Sequence, residues 1–276
     1  MPNPSDMTAA IAGIFDRSAA TYERTGAEFF APMGRELVRL AAPRPGERVL
    51  DVGCGRGHCL FPAAEAVGPD GVVVGVDLAP SMVAATAEEA RRRGLDRVTV
   101  REGDAAAPPV DPGSFDLLLG GFVIFFLPDP ASGVRAWARA LRPGGRLTLS
   151  TFQRQDPGYE QMLKAINAFV PGEGGREPRR PTQQFRTEEP LTEVLSENGF
   201  VEIVHRVARF ETRFADADHL WEWNLSHGGR GLVERVPEDR AGEVRAAAAE
   251  AAEAMRNADG DLVLRTEARY TTAVRP

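Results

Sequence analysis

The stretch that decides the fold runs from Arg48 to Leu60 and reads R-V-L-D-V-G-C-G-R-G-H-C-L. Its apolar start, which contains Asp51, predicts a buried strand, and the alanine-rich segment after Leu60 predicts a helix. Between them lie three glycines at alternate positions, which let the backbone adopt positive φ angles and approach a ligand closely. The helix that follows would present unpaired N–H groups to that ligand. The stretch therefore predicts a nucleotide-type binding loop.

The glycine spacing separates two kinds of nucleotide site. A dinucleotide-binding loop has its third glycine three residues after the second, and that position is His58 in this chain. The order here is D-x-G-x-G-x-G, from Asp51 to Gly57. A glycine-rich strand-to-helix turn alone is a weak signal, but this spacing argues against a nicotinamide-dependent reductase.

Composition and charge narrow the functional classes. The 276 residues carry a net charge of -7, and the pI is near 5.3. An acidic chain without a basic stripe is not expected to bind nucleic acid. The longest apolar run, Leu117 to Leu127, is about half as long as a membrane-spanning helix. We therefore predict neither a nucleic-acid partner nor a membrane partner.

The cysteines and the N-terminus indicate the cellular compartment. The chain has two cysteines, Cys54 and Cys59, so neither a disulfide framework nor a zinc site is expected. The first residues, M-P-N-P-S-D, lack the charged and apolar regions of a signal peptide. We predict a cytoplasmic protein without a bound metal ion.

Strand and helix patterns alternate along most of the chain. Strands are predicted at residues 48–52, 71–76, 98–102, 115–119, 146–152, 200–210 and 262–274, with helical segments between them. This alternation predicts a Rossmann-like, doubly wound α/β fold with a mostly parallel, seven-stranded sheet. Ligands of such sheets bind beyond the carboxyl ends of the strands.

Additions to this core are also expected. Residues 1–45 show helical patterns interrupted at Pro32, which predict an N-terminal helical cap on a core domain of residues 46–276. Residues 154–190 and 215–260 break the alternation and are predicted to form a substrate lid. Within them we expect a loop at 171–181 and a long helix at 238–257.

Four further motifs follow the loop at the predicted strand ends. They are V-G-V-D-L-A-P-S-M around Asp77, E-G-D-A around Asp104, F-D-L-L-L from Phe115, and L-R-P-G-G-R-L, whose turn at 142–145 is expected to close a helix at 134–141. An acidic residue about 20 positions beyond a glycine loop suits a ribose diol. In order and spacing, the set resembles that of the class I S-adenosylmethionine (SAM) dependent methyltransferases. Within them it is similar to the small-molecule, ubiquinone- and menaquinone-methyltransferase-like branch, over about residues 10–152.

The resemblance implies SAM as cofactor, S-adenosylhomocysteine (SAH) as its product, and a set of binding residues. The glycine loop would lie against the methionine moiety. The motif around Asp77 would hold the ribose and sandwich adenine, and the motif around Asp104 would meet the adenine edge. The residues that follow F-D-L-L-L would line the passage to the substrate. In that order the residues are Gly53, Cys54, Gly55 and Gly57, then Asp77, Leu78 and Met82, then Gly103, Asp104 and Ala105, then Gly120 and Phe122.

Some of these residues also have an alternative structural role. Asp77 and Asp104 are also suited to helix caps or turns, and Met82 to a helix core. Asp51 either orients the loop or reaches the methionine amino group.

The candidate catalytic residues are few. Methyl transfer from a sulfonium is an in-line displacement, which gains most from positioning and water exclusion, so a base is needed mainly when the nucleophile carries a proton. Relatives often carry histidines after the fourth strand, where this chain has Phe125 and Phe126. We expect these two phenylalanines either to be ordinary core residues or to make the substrate pocket more apolar. Tyr22 matches a tyrosine that relatives place over the cofactor, or it is a packing aromatic.

The motif W-E-W-N-L-S-H-G-G-R-G, between the last two strands, is the other candidate. Its place in this architecture predicts that Trp221, Trp223 and His227 overhang the strand ends. We expect the tryptophans in the substrate pocket and His227 as a base or hydrogen-bond partner of the substrate. Alternatively, the tryptophans bury the insertion and His227 caps a turn.

The sequence therefore predicts a SAM-dependent methyltransferase that acts on O, N or C of a small, partly apolar or aromatic metabolite, such as a secondary metabolite. The alternative is a SAM-binding protein of the same fold that works as a cyclase or a non-transferring binding module. The sequence leaves open whether the protein is a monomer or a homodimer.

Overall fold

A computed structural model of the protein describes residues 4–172 and 181–276. The predicted loop at 171–181 falls mostly on residues 173–180, which lie outside this described part. The described strands are β1 (Arg48–Val52), β2 (Val72–Asp77), β3 (Val98–Glu102), β4 (Phe115–Gly121), β5 (Leu141–Gln155), β6 (Val201–Phe214) and β7 (Leu262–Val274).

The strands form one sheet in the order β3-β2-β1-β4-β5-β7-β6. The first five are mutually parallel, and β7 runs antiparallel to both of its neighbours. In β1, residues 49–52 are all buried, as expected for a central parallel strand covered on both faces. The predicted α/β, Rossmann-like fold with a mostly parallel, seven-stranded sheet is confirmed.

Helices flank the sheet and cover the carboxyl ends of its strands. In the described ranges they are α1 (Pro4–Ser18), α2 (Phe30–Ala41), α3 (Leu60–Val67), α4 (Pro80–Arg92), α5 (Pro130–Ala140), α6 (Pro157–Asn167), α7 (Glu189–Glu197), α8 (Ala217–Leu225), α9 (Arg230–Val233) and α10 (Ala241–Ala252). None of them is long and apolar enough to span a bilayer.

Aspartates cap three of these helices. Asp129, Asp156 and Asp216 stand at the N-caps of α5, α6 and α8, and each side chain accepts a hydrogen bond from a backbone N–H of the first turn. Such caps satisfy donors that have no partner inside the helix.

The predicted break at Pro32 is wrong. Pro32 lies in the first turn of α2, where its missing N–H costs no intrahelical hydrogen bond. The chain breaks earlier, between α1 and α2, where the Glu23 carboxylate accepts hydrogen bonds from the N–H groups of residues 29–31 at 3.1–3.2 Å. Glu23 thus caps α2 from outside the helix.

Two other local predictions differ from the structure. The turn at 142–145 lies inside the first part of β5, where the pairing with β4 shifts register and Gly144 has a φ of 75°. The turn therefore makes the pairing of β5 with β4 locally irregular, and the strand continues beyond it. The long helix predicted at 238–257 is α10 flanked by single 3-10 turns at Glu238–Arg240 and Glu253–Met255. Helix ends commonly tighten in this way.

Polar contacts fix α1 over the sheet. Asp16 accepts a hydrogen bond from Ser81 N, at the start of α4, at 2.7 Å. Arg17 donates through Nε to Glu234, just after α9, at 2.9 Å. The two contacts join α1 to the start of α4 on one side and to the residue after α9 on the other.

Candidate active site

A cavity of about 400 Å³ lies at the carboxyl ends of the strands. Its walls come from the segments that follow β1, β2, β3 and β4, and from β5, while α1, α8 and α9 complete it. This is where ligands of doubly wound sheets bind. The cavity is within the size range of small-molecule sites.

The glycine loop lines one end of this cavity. Gly53 has a φ of 68°, and a Cβ there would lie 2.6 Å from Val123 Cγ2. Because glycine lacks that atom, the loop can turn tightly against the segment after β4. Thr86, in α4, donates its hydroxyl to Gly55 O at 2.7 Å and holds the loop in place. No motif in the sequence predicts this contact.

Asp77, at the end of β2, faces the loop. Its two carboxylate oxygens accept hydrogen bonds from Gly55 N at 2.8 Å and Ala79 N at 2.9 Å. Burial raises the pKa of this carboxyl group, and the backbone donors partly oppose that shift. Each carboxylate oxygen has a second lone pair, so Asp77 can also accept hydrogen bonds from a diol in the cavity.

Asp51 is the more deeply buried carboxylate at this end, with an exposed fraction of 1%. It accepts a hydrogen bond from the Leu60 N–H, but Oδ2 has no partner among the described residues. Burial, and then the nearby charge of Asp77, raise the pKa of Asp51 well above its ordinary value. Such a site favours a cationic ligand group, which would restore the charged carboxylate.

The adenine end predicted from the E-G-D-A motif is also part of the cavity wall. Asp104 accepts a hydrogen bond from Ala106 N at 2.8 Å, and Trp137 Nε1 donates to Ala105 O at 2.7 Å. Met82 is buried and lines the cavity beside Leu78. The turn after β3 is thus held by its own side chain and by a tryptophan of α5 that the sequence did not mark.

Four predicted residues do not line the cavity: Gly57, Gly103, Gly120 and Trp221. The glycines allow close packing behind the wall, since a Cβ at each would lie 2.5–2.7 Å from a neighbouring side chain. Trp221 is buried in α8. The other predicted cofactor and substrate residues, Phe125 and Phe126 included, lie on the wall.

The other end of the cavity is aromatic. Phe122 and Phe152 stack with ring centroids 4.4 Å apart, and Phe15 meets Phe126 edge to face at 5.4 Å. Phe122 has a positive φ of 53°, and its N–H donates to Ser150 Oγ at 3.1 Å. We call this end the aromatic chamber, which consists of Phe15, Phe30, Phe122, Phe126, Phe152, Trp223 and His227.

His227 is the titratable group of the chamber. Only 8% of it is exposed, and its ring lies edge to face against Trp223 at 4.2 Å. Nδ1 accepts a hydrogen bond from Gly229 N at 3.0 Å, whereas Nε2 has no partner among the described residues. Burial lowers the pKa of His227 to about 3, so the imidazole is neutral near pH 7.

Comparison with known proteins identifies the family. Residues 43–218 match the family described as Methyltransferase domain. Nocamycin O-methyltransferase of Saccharothrix syringae is 40% identical over 244 residues, covering 84% of this chain and 87% of that protein. Aklanonic acid methyltransferase DauC of Streptomyces sp. strain C5 is 48% identical over 205 residues, covering 71% of this chain and 93% of that protein. The chain belongs to the class I SAM-dependent methyltransferases of the small-molecule type.

A solved structure supports the fold of this methyltransferase. The YcgJ protein from Bacillus subtilis superimposes with a TM-score of 0.57 at 20% sequence identity, covering 88% of this chain and 98% of that one. At this identity the likeness concerns the fold alone.

Tyr22, between α1 and α2, contacts His58, which follows the glycine loop of this methyltransferase. The Tyr22 ring stacks on His58 at 5.9 Å and on Phe30 at 5.5 Å, and both Tyr22 and His58 line the cavity. Burial raises the pKa of Tyr22 well above its ordinary value and lowers that of His58 to about 4. Both side chains are therefore neutral near pH 7.

The methyltransferase has no cluster of metal ligands in the ranges 4–172 and 181–276. Its acidic cavity residues, Asp51, Asp77 and Asp104, all lie at the loop end.

The buried neutral His227 predicts a pH dependence of methyltransferase stability. Its folded pKa of about 3 is below the unfolded value of 6.5, so its contribution is complete above pH 6.5 and is lost as the pH falls toward 3. Between pH 7 and pH 5, wild type should lose about 2 kcal/mol more unfolding free energy than a His227→Gln variant. Urea unfolding at both pH values measures this difference. Equal losses in the two proteins would contradict the burial of a neutral imidazole.

Proposed function

We propose that this methyltransferase transfers the methyl group of SAM to an oxygen of a small, flat aromatic metabolite. The observation that supports this most is the single cavity, which joins the carboxylate-lined loop end directly to the aromatic chamber. Stacking against aromatic walls favours planar aromatic ligands. The names of the two relatives, an O-methyltransferase and an aklanonic acid methyltransferase, support oxygen and natural-product chemistry.

The residues of the loop end fit SAM. The unpartnered oxygen of Asp51 suits the ammonium group of the methionine moiety, and Asp77 suits the ribose diol. Leu78 and Met82 would flank adenine, and Asp104 would accept from its amino group. When bound, SAM supplies an electrophilic methyl group on a sulfonium.

The chain's own contribution is position and exclusion of water. The rings of the aromatic chamber would orient the acceptor toward the loop end, and α1, α8 and α9 would close the site against solvent. In-line displacement depends on such alignment. We therefore propose residues 1–45 as the cap, 46–276 as the core, and the 154–190 and 215–260 insertions as the substrate lid.

Tyr22 serves in this proposal as a cover over the cofactor rather than as a base. Tyr22→Ala is expected to weaken SAH binding about tenfold, because the stacked ring that closes the loop end is lost. Tyr22→Phe keeps the ring and should bind SAH like wild type. Calorimetric titration of both variants tests this. A Tyr22→Phe loss as large as that of Tyr22→Ala would instead assign a role to the hydroxyl.

The proposed reaction is tested with SAM labelled with ¹³C in the methyl group and a panel of hydroxy- and carboxyanthraquinones. A labelled product with the carbon-13 chemical shift of an O–CH₃ group is the expected result. Label on carbon or nitrogen would contradict oxygen as the acceptor. Conversion of an acceptor with SAM recovered intact would favour the cyclase alternative.

We also propose a cytoplasmic location and no nucleic-acid partner. The two buried, free cysteines support a reducing compartment. The protein is predicted to be either a monomer or a homodimer. Light scattering on the purified protein distinguishes the two.

A further inference from the structure

The hydrogen bonding of His227 determines which of its ring nitrogens carries the proton. The Gly229 backbone N–H is always a donor, and it donates to Nδ1 at 3.0 Å. Nδ1 therefore carries no proton, and in the neutral ring the proton is on Nε2. Nε2–H is a donor, and it has no acceptor among the described residues although His227 is buried in the cavity wall.

A second unpaired donor lies beside it. Trp223 is 1% exposed, also lines the cavity, and has no described partner for its indole Nε1–H. The two ring centroids are 4.2 Å apart. Buried N–H groups nearly always have an acceptor. Two adjacent exceptions on a cavity wall indicate that a ligand supplies it.

We propose that His227 and Trp223 form a donor pair that binds an anionic oxygen of the substrate, and that His227 orients this oxygen without deprotonating it. The inference rests on the proposed transfer to oxygen. It decides between base and hydrogen-bond partner, the two roles toward the substrate that the sequence left open for His227.

The proposal limits the chemistry of the acceptor. Apart from His227 and Trp223, the residues of the aromatic chamber are phenylalanines, which cannot take a proton. Tyr159 also lines the cavity, but its hydroxyl donates to Asn224 Oδ1 at 2.9 Å, and Tyr22 and His58 lie at the loop end. To act as a base, His227 would have to release Nδ1 from Gly229 or accept a proton while buried, which its environment disfavours. The acceptor oxygen must therefore be ionised before it binds.

The reaction then balances without a base. The anionic oxygen forms the new C–O bond to the methyl carbon, the C–S bond breaks, and its electron pair stays on sulfur. No proton is released in the chamber. An acidic phenol or enol, or a carboxylic acid, meets this requirement, whereas an alcohol does not.

The proton on Nε2 is measured by ¹⁵N NMR of protein labelled at histidine, with His227→Gln used to assign the signal. The expected spectrum shows His227 as the Nε2–H tautomer, without titration between pH 5.5 and 8.5. An Nδ1–H tautomer, or a titration in that range, would overturn the proposal.

Ligand recognition is measured with SAH-saturated protein and three probes: anthraquinone-2-carboxylate, 1,2-dihydroxyanthraquinone at a pH that ionises it, and neutral anthraquinone-2-carboxamide. At least one anion should bind ten times more tightly than the carboxamide, and the pattern separates a carboxylate from a phenolate. His227→Phe should abolish this preference, and His227→Gln, which keeps an N–H donor, should retain part of it. A preference for the carboxamide, or one unchanged by His227→Phe, would overturn the proposal.

These readouts are separate from those of the proposed function. Failure of SAH to bind, or of labelled methyl to reach an oxygen, would remove the proposed function. If methyl transfer to oxygen is observed but the NMR spectrum or the anion preference differs from that expected, only the proposed donor pair is contradicted.

Discussion

Replacing Asp77 with alanine is expected to weaken SAH binding about 100-fold. Two hydrogen bonds from ribose hydroxyls to a carboxylate are together worth about 3 kcal/mol, which corresponds to that factor. The change also frees Gly55 N and Ala79 N, which the carboxylate now holds. The loop end would therefore lose both a ligand contact and its own order. Calorimetric titration with SAH measures the loss.

A neighbouring carboxylate provides the matched control. Glu102 pairs in register with Asp77 at the end of β3, but it is exposed and does not line the cavity. Glu102→Ala should bind SAH like wild type, and Asp77→Asn, which keeps one acceptor, should fall between the two alanine variants. Thermal unfolding confirms that each variant is folded. Equal affinities of folded Asp77→Ala and Glu102→Ala would contradict the assignment of the ribose site.

The second large effect is expected at Gly53. Alanine there must adopt a φ of 68°, and its Cβ would lie 2.6 Å from Val123 Cγ2. The left-handed conformation costs about 1–2 kcal/mol, and displacement of Val123 adds a cost of about the same size. We expect Gly53→Ala to lower the unfolding free energy by about 3 kcal/mol and to abolish measurable SAH binding. Urea unfolding and calorimetry measure the two effects.

Gly94, which follows α4, separates backbone strain from the clash. It has the same φ of 68°, but no heavy atom lies within 4 Å of a Cβ at that position. Gly94→Ala should show only the strain and should bind SAH normally. Adding Val123→Ala to Gly53→Ala should recover part of the lost stability. Equal destabilisation by Gly53→Ala and Gly94→Ala would show that the contact with Val123 is not what requires glycine.

The parts predicted correctly from the sequence depend on local pattern. The bounds of β1, β3 and β7 agree with the predicted strands, because apolar or alternating runs ended by turn residues specify a strand locally. The glycine loop and Asp77 are likewise separated by only one helix and one strand, so their spacing along the chain predicts that they meet. The resemblance to a known family likewise depends on the order and spacing of motifs along the chain.

The parts that were missed depend on contacts between distant segments. Thr86 reaches Gly55 O across 31 residues, and Trp137 reaches Ala105 O across 32. Pro32 alone predicts a helix break, because the sequence does not show that Glu23 caps the start of α2 and that Pro32 lies in its first turn. The role of His227 depends on which ring nitrogen meets Gly229 N, and residue type alone does not specify that.

The most direct test of the whole account is a crystal structure with SAH bound. We predict that the ribose hydroxyls lie within hydrogen-bond distance of Asp77, that the amino group lies beside Asp51, and that the sulfur points toward the aromatic chamber, which contains His227. SAH bound with its ribose away from Asp77, or with its sulfur turned away from the aromatic chamber, would contradict it.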